Sequence, residues 1–190
     1  MAALIPSASA TGSGTMTLAG PSTNSNQTIT IPDATGTMMV SGNMPAFSAY
    51  PNSNQSVSTN TFTLINYQVK TYDTATAFNN TGSTVTLNGI SVPAYAFAPP
   101  IAGYYQISIN LASNSAMTRI YLALYKNGSF AYSGNDINAT QPNTLNSSWL
   151  VYLNGTSDYI QLYAYCTGVS PQWYGDSRYT FFSGVLVRGA

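Results

Sequence analysis

Between Tyr105 and Leu111 the side chains alternate without exception: Tyr105, Ile107, Ile109 and Leu111 are apolar, and Gln106, Ser108 and Asn110 between them are polar. A period of two puts the apolar set on one face of a strand and the polar set on the other, which no helix does. The alternation recurs in Ile120, Leu122 and Leu124, and Lys126-Asn127-Gly128-Ser129 follows. Both residues of an Asn-Gly pair tolerate positive φ, so a tight hairpin returning through Phe130 to Tyr132 is expected. Further strands are expected over Phe62 to Val69, Val85 to Leu87, Tyr95 to Phe97, Leu145 to Leu153, Tyr159 to Cys166 and Tyr179 to Val187, with a turn at Asn154-Gly155. No segment sustains helical spacing. Many strands separated by turns, with no strand-helix alternation, predict an all-β chain folded as a jelly-roll β-sandwich.

The 190 residues suffice for one well-buried core, and 44% of them are hydrophobic. Only 5% are charged, against about a quarter in an ordinary globular chain, so surface polarity must come from Ser, Thr, Asn and Gln. The five cations, Lys70, Arg119, Lys126, Arg178 and Arg188, are scattered and balanced by five Asp, which leaves no basic patch for nucleic acid. No apolar run approaches the 18 or so residues of a membrane span, and the first six residues lack the basic start of a secretion signal. Neither membrane insertion nor export by that route is expected.

Residues 1–44 are rich in Ala, Ser, Thr and Gly, with short β-type runs only at Thr15 to Leu18 and Thr28 to Ile31. Such a segment buries too little to order itself, so it is expected to be extended and to need a partner. Ser41-Gly42-Asn43 reads as a hinge into the main domain, residues 45–190.

Two strands carry a second apolar face. Opposite Ile120, Leu122 and Leu124 stand Tyr121, Ala123 and Tyr125; opposite Ile160, Leu162 and Ala164 stand Tyr159, Tyr163 and Tyr165, interrupted only by Gln161. Tyrosine suits an interface because its ring is buried while its hydroxyl is satisfied at the rim. Tyr121, Tyr125, Tyr159, Tyr163 and Tyr165 are therefore the expected homo-oligomer interface, with a glycan-binding platform as the rival reading.

Specific residues then resemble a known family. Phe97, followed after five residues by Gly103-Tyr104-Tyr105 with Ile107 and Ile109, resembles the central motif of the trimeric jelly-roll superfamily of the complement-component globular head and tumour necrosis factor. Phe78-Asn79-Asn80 resembles its upstream Phe and Asn, Leu124 to Gly128 its hairpin, and Phe182-Ser183-Gly184-Val185-Leu186 its last strand. The resemblance spans about residues 46–188 and departs at Ile107 and Ile109, where the family has aromatics, and at Asn88 to Pro93, which looks like an extra loop. It implies a compact homotrimer with an aromatic central interface. Gly14 to Leu18 and Asn26 to Thr37 resemble linker units of phage tail-fibre and other virion proteins.

Catalytic residue types are scarce. There is no His and no Glu, which removes the usual general base, zinc ligand and catalytic triad. The five Asp, at 33, 73, 136, 158 and 176, sit in or beside expected turns, where Asp ordinarily bonds backbone. Asn135-Asp136 or Asp176 are the only candidates for a calcium site, Gly12-Ser13-Gly14 is a linker rather than a phosphate loop, and Cys166 is expected to be a small core residue. No enzyme activity, cofactor or metal is expected.

These readings converge on a non-enzymatic bacteriophage virion protein. Residues 1–44 would attach to capsid or tail proteins, the head would form a homotrimeric fibre knob, and Trp173 and Tyr174 would contact a host-surface glycan or protein. A capsid-decoration trimer is the alternative, and a free lectin a more distant one.

Overall fold

The computed structural model describes residues 44–138 and 143–190, and across them the chain forms strands and no helix. In chain order these are β1 (Ala46–Tyr50), β2 (Gln55–Ser56), β3 (Thr61–Leu64), β4 (Val69–Asp73), β5 (Val85–Leu87), β6 (Ile90–Val92), β7 (Gly103–Ala112), β8 (Met117–Lys126), β9 (Ser129–Asn138), β10 (Thr144–Leu153), β11 (Ile160–Gly168), β12 (Gln172–Trp173) and β13 (Phe181–Gly189). One sheet has the order β10-β7-β13-β1-β4 and a second the order β3-β11-β8-β9. Both are antiparallel throughout, and β2-β12 and β5-β6 form two small ribbons.

The period-two residues meet between the sheets. Tyr105, Ile107, Ile109 and Leu111 of β7 face Ile120, Leu122 and Leu124 of β8 and Ile160, Leu162, Ala164 and Cys166 of β11 in one buried cluster. Its centre is aromatic: Phe47 stacks on Phe97 at 4.2 Å and Phe78 at 5.0 Å between ring centroids, and Phe182 meets it edge-on at 4.9 Å. Cys166 is fully buried in this cluster, and burial pushes its thiol pKa up. The open side between β9 and β10 is laced by side chains. Trp149 Nε1 donates to the Ser133 carbonyl at 2.9 Å, and Asn135 Nδ2 to the Asn146 carbonyl at 2.7 Å.

Three local expectations change. Phe62 to Val69 is not one strand: pairing with β11 ends at Leu64, and pairing with β1 begins at Val69. Ile65 and Tyr67 stay fully buried across the gap, so the alternation persists while the chain crosses between sheets. Tyr95 to Phe97 makes only isolated bridges, Phe97 with Phe78 and with Ile160. Residues 88–93 are not a plain loop. Asn88 and Gly89, at φ of 51° and 78°, turn a β5-β6 hairpin whose Ile90 and Val92 pack with Ala96 and Ala98 in a second small cluster. The expected extended segment, its two β-type runs, its linker and Asp33 lie outside the described residues, as do the virion-linker units.

Candidate functional site

A sandwich offers partners the outward faces of its sheets and the loops at its ends, and the two outward faces here differ in kind. On the four-stranded sheet, the register puts Phe62 beside Tyr165 and Tyr165 beside Tyr121, while Tyr125 faces Phe130 across the hairpin. The rings clasp one another: Tyr125 stacks on Tyr163 at 4.1 Å, and Phe62 lies 5.4 to 6.2 Å from Tyr121, Tyr125, Phe130 and Tyr165. Burial, with neighbouring Tyr125 and Tyr159, pushes the Tyr163 hydroxyl pKa up. Tyr121 and Tyr165 bond Ser133 and Asn60. The Arg119 guanidinium sits 5.7 and 5.5 Å from the Tyr121 and Tyr165 rings while gripping Asp136 with both arms.

Four of the five tyrosines singled out in the sequence therefore gather on one face. Tyr159 stands just before β11 and packs on the small cluster of Ile90, Val92, Ala96 and Ala98. Phe62 and Phe130 belong to the same surface and were not foreseen. Only the pairing of β3 with β11 and of β9 with β8 brings them there. All these rings are more than half covered by their own chain, Phe130 least so at 46% exposed.

The five-stranded sheet leaves more of its outward apolar surface exposed, although Tyr104 and Tyr152 pack at 5.5 Å between ring centroids. Tyr104 of β7, Leu150 and Tyr152 of β10, and Val185 and Val187 of β13 are 41 to 59% exposed. Register places Tyr152 beside Tyr104, and Leu150 in line with Gln106 and Val185. Lys126 closes the corner, donating to the Tyr152 carbonyl and pairing with Asp158, both at 2.8 Å.

Trp173 does not face outward. It pairs with Gln55, is 1% exposed, and its Nε1 finds no partner among the described residues. A core ring cannot touch a surface receptor, so the contact expected of Trp173 is withdrawn. Tyr174 is half-buried; its ring meets Tyr179 edge-on at 5.3 Å over a cleft of about 250 Å³ shared with Ser113, Asn143 and Thr144.

Every described aspartate holds a cation: Asp73 with Lys70, Asp136 with Arg119, Asp158 with Lys126 and Asp176 with Arg178. Arg178 holds the Asp176 carboxyl down at about 2. Burial opposes ionisation of Asp158, yet bonds from Lys126, Asn127 and the Asn154 backbone outweigh it and lower its pKa. Asp73 ends β4 beside a turn and accepts from the Ala77 and Phe78 amides, as expected, whereas Asp136 lies inside β9. Both carboxylates considered for calcium already bind guanidinium groups, and among the described residues no cluster of three or more acidic, His or Cys side chains forms a metal site.

No protein-family model matches the chain, and no curated protein matches its sequence. Solved structures do resemble it. Murine APRIL at pH 5.0 superimposes with a TM-score of 0.55 at 11% identity, over 76% of this chain and 99% of that one. The fold is the tumour-necrosis-factor-like jelly roll. Murine APRIL at pH 8.5 gives 0.53 at 12% identity over the same shares of the two chains. The globular domain of the zebrafish complement 1qA protein gives 0.45 at 14%, over 77% of this chain and 99% of that one. At such identities the likeness concerns the fold alone. In that jelly roll, the exposed apolar patch and the self-packed tyrosine face lie on opposite sheets.

Proposed function

We propose that this chain is a non-enzymatic, homotrimeric binding head displayed on a bacteriophage particle, attached through residues 1–44 and contributing to host adsorption. One observation carries the trimer: the exposed apolar patch of Tyr104, Leu150, Tyr152, Val185 and Val187 on one sheet of the jelly roll. A cluster of exposed apolar side chains around one polar residue, Gln106, supports an association site. The tyrosine face has already satisfied itself within one chain, so self-association moves from the sheet foreseen in the sequence to the opposite one. The linker-like units in residues 14–37 support the virion setting. Four Asp held by cations, with no His and no Glu, support a non-catalytic role.

Light scattering tests the assembly. The parent chain, of 20.2 kDa, is expected to run at about three times that mass. A Leu150→Asp change removes roughly 1 kcal/mol of apolar burial per copy and asks a carboxylate to enter an apolar contact, which costs several kcal/mol more. It should yield folded monomers, while Tyr163→Asp, on the other sheet, should stay trimeric. A monomeric parent, or the reverse response of the two variants, refutes the assignment. Immunogold labelling of phage particles with antibody to residues 45–190 tests the setting, and unlabelled particles would refute it.

A further inference from the structure

Glycine follows asparagine at three places in the sequence, Asn88-Gly89, Asn127-Gly128 and Asn154-Gly155. Such a pair carries its own chemistry. The glycine nitrogen has no Cβ beside it to hinder an approach, so it can reach the asparagine side-chain carbonyl carbon and close a five-membered ring. A fold suppresses that reaction wherever it fixes both partners, and the three turns are fixed unequally.

Two of them are locked. Asn127 Oδ1 accepts from the Tyr159 amide at 3.0 Å while its Nδ2 donates to Asp158 Oδ1 at 2.8 Å, and the hairpin it turns has strands of ten residues each. Asn154 Oδ1 accepts from the amides of Thr156, Ser157 and Asp158 at 2.9 to 3.0 Å. A Cβ on Gly155 would stand 2.5 Å from the Ala102 nitrogen, so the Gly155 backbone has no room to turn. The Asn88 turn differs on each count. Asn88 and Gly89 are both exposed, a Cβ on Gly89 would meet nothing within 4 Å, and Asn88 Oδ1 accepts from no described residue. Its arms, β5 and β6, have three residues each, and so short a ladder opens at low cost.

Only the amide nitrogen ties Asn88 down. Nδ2 donates to the Ala75 carbonyl at 2.9 Å and to the Thr76 carbonyl at 3.0 Å. Thr76 is a β-branched residue at φ of 51°, a conformation such side chains rarely adopt, so the amide clamps a strained turn.

We propose that Asn88 is a site of spontaneous modification, at which the Gly89 nitrogen displaces the side-chain amide and thereby releases the clamp on Thr76. The Gly89 N–H gives its proton to solvent base, its nitrogen bonds to Asn88 Cγ, and the Cγ–Nδ2 bond breaks as Nδ2 takes a proton from water and leaves as ammonia. Water then opens the cyclic imide at either carbonyl. One opening leaves aspartate, and the other leaves isoaspartate, whose backbone runs through the former side chain. Water is the only co-reactant. Each product puts a carboxylate, which only accepts, where two N–H donors had faced carbonyl oxygens. The hairpin loses its tether to residues 75 and 76, and the small cluster of Ile90, Val92, Ala96 and Ala98 loosens with it. The site requires neither the trimer nor the virion setting.

The full chain is held at mildly alkaline pH in heavy-oxygen water, both folded and in guanidinium, and its chymotryptic peptides are followed by mass spectrometry. In guanidinium the three pairs should react at similar rates, because each presents the same two residues. In the folded chain Asn88 should react at least about tenfold faster than Asn127 or Asn154, following the easier opening of its turn. Asn88→Gln, whose longer side chain must close a larger ring, should remove the signal at that position and leave the other two unchanged. Asn88→Asp should quicken amide exchange across Val85 to Val92 at least about tenfold while leaving β7 and β8 as in the parent. The proposal is overturned if folded Asn127 or Asn154 reacts as fast as Asn88, or if folded Asn88 is intact when the guanidinium sample is fully converted. Unchanged exchange in Asn88→Asp would overturn the release of the turn at Thr76.

Discussion

Gly184 occupies an inward position on β13 between Phe182 and Leu186, and a methyl group there should cost about 1.3 kcal/mol net. Its Cβ would stand 2.7 Å from Phe47 Cε1 and 2.7 Å from Ile107 Cδ1. Carbon atoms rest at about 3.5–4.0 Å, so both contacts overlap by nearly 1 Å. The Phe47 ring cannot retreat, because Phe78 and Phe97 stack on it and Phe182 abuts it edge-on. Overpacking of this kind costs about 1–3 kcal/mol. Because the Gly184 backbone is not in the left-handed region, alanine also recovers about 0.4–1 kcal/mol of unfolded-state entropy. The net of about 1.3 kcal/mol lowers the melting temperature of a domain this size by about 3–5 °C. Urea unfolding followed by Trp149 and Trp173 fluorescence measures it, at one fixed protein concentration because association shifts the midpoint. Ile107→Val removes Cδ1 and costs about 1 kcal/mol alone. Combined with Gly184→Ala it should cost about 1 kcal/mol less than the sum of the two single changes. A Gly184→Ala protein within 0.5 kcal/mol of the parent, or strict additivity in the pair, would refute the steric account.

Asn79 should prove costlier, for a polar reason. It is 2% exposed, its Nδ2 reaches the carbonyls of Ser83, Val92 and Pro93 at 2.7 to 3.0 Å, and its Oδ1 accepts from Thr81. Asn79→Ala should cost about 3 kcal/mol in the same urea assay by stranding buried carbonyls, and amide exchange should quicken first in β5-β6; a loss under 1 kcal/mol counts against this. Acid should act through Asp158, whose folded pKa is lowered, so its contribution is complete above the unfolded value near 3.9 and disappears as pH falls through the folded value. Asp158→Asn should therefore flatten the fall in stability below about pH 4 without abolishing it, since Asp176, held down at about 2, also titrates in acid; an unchanged slope would show that Asp158 is not coupled to folding.

The fold was legible wherever alternation ran long. Tyr105 to Leu111 offers four apolar residues at period two, and the strand found there extends it at both ends. Where strands are short the pattern has too few members to count. In β1, Ala46–Tyr50, Phe47 is the only large inward residue, and β2 and β12 have two residues each. The Asn88-Gly89 turn has the same chemistry as Asn127-Gly128, yet three-residue arms on either side hid the hairpin. Sidedness of the tyrosines was legible for the same reason as the core, being set by parity along a single strand. Partners across strands were not. Lys126 meets Asp158, and Arg119 meets Asp136, only because register brings them together. The exposed patch was not legible because its members are one or two apolar residues on each of β7, β10 and β13, made neighbours by a strand order that no local pattern encodes.

The low charge that first set this chain apart bears on how such a head would adhere. With its described aspartates each paired to a cation and a formal net charge of zero, the domain has no field to steer a partner in from a distance. Encounter then proceeds at the unsteered rate of roughly 10⁵–10⁶ M⁻¹s⁻¹. Contacts built from rings, hydroxyls and amides are also little screened by salt, unlike ion pairs at a surface. A single contact of that chemistry is weak, because each hydroxyl exchanges one hydrogen bond with water for another. Durable attachment must therefore come from number. On the proposed trimer, three identical heads would raise the effective concentration of the second and third contacts, so avidity would exceed the single-site affinity with no new interaction.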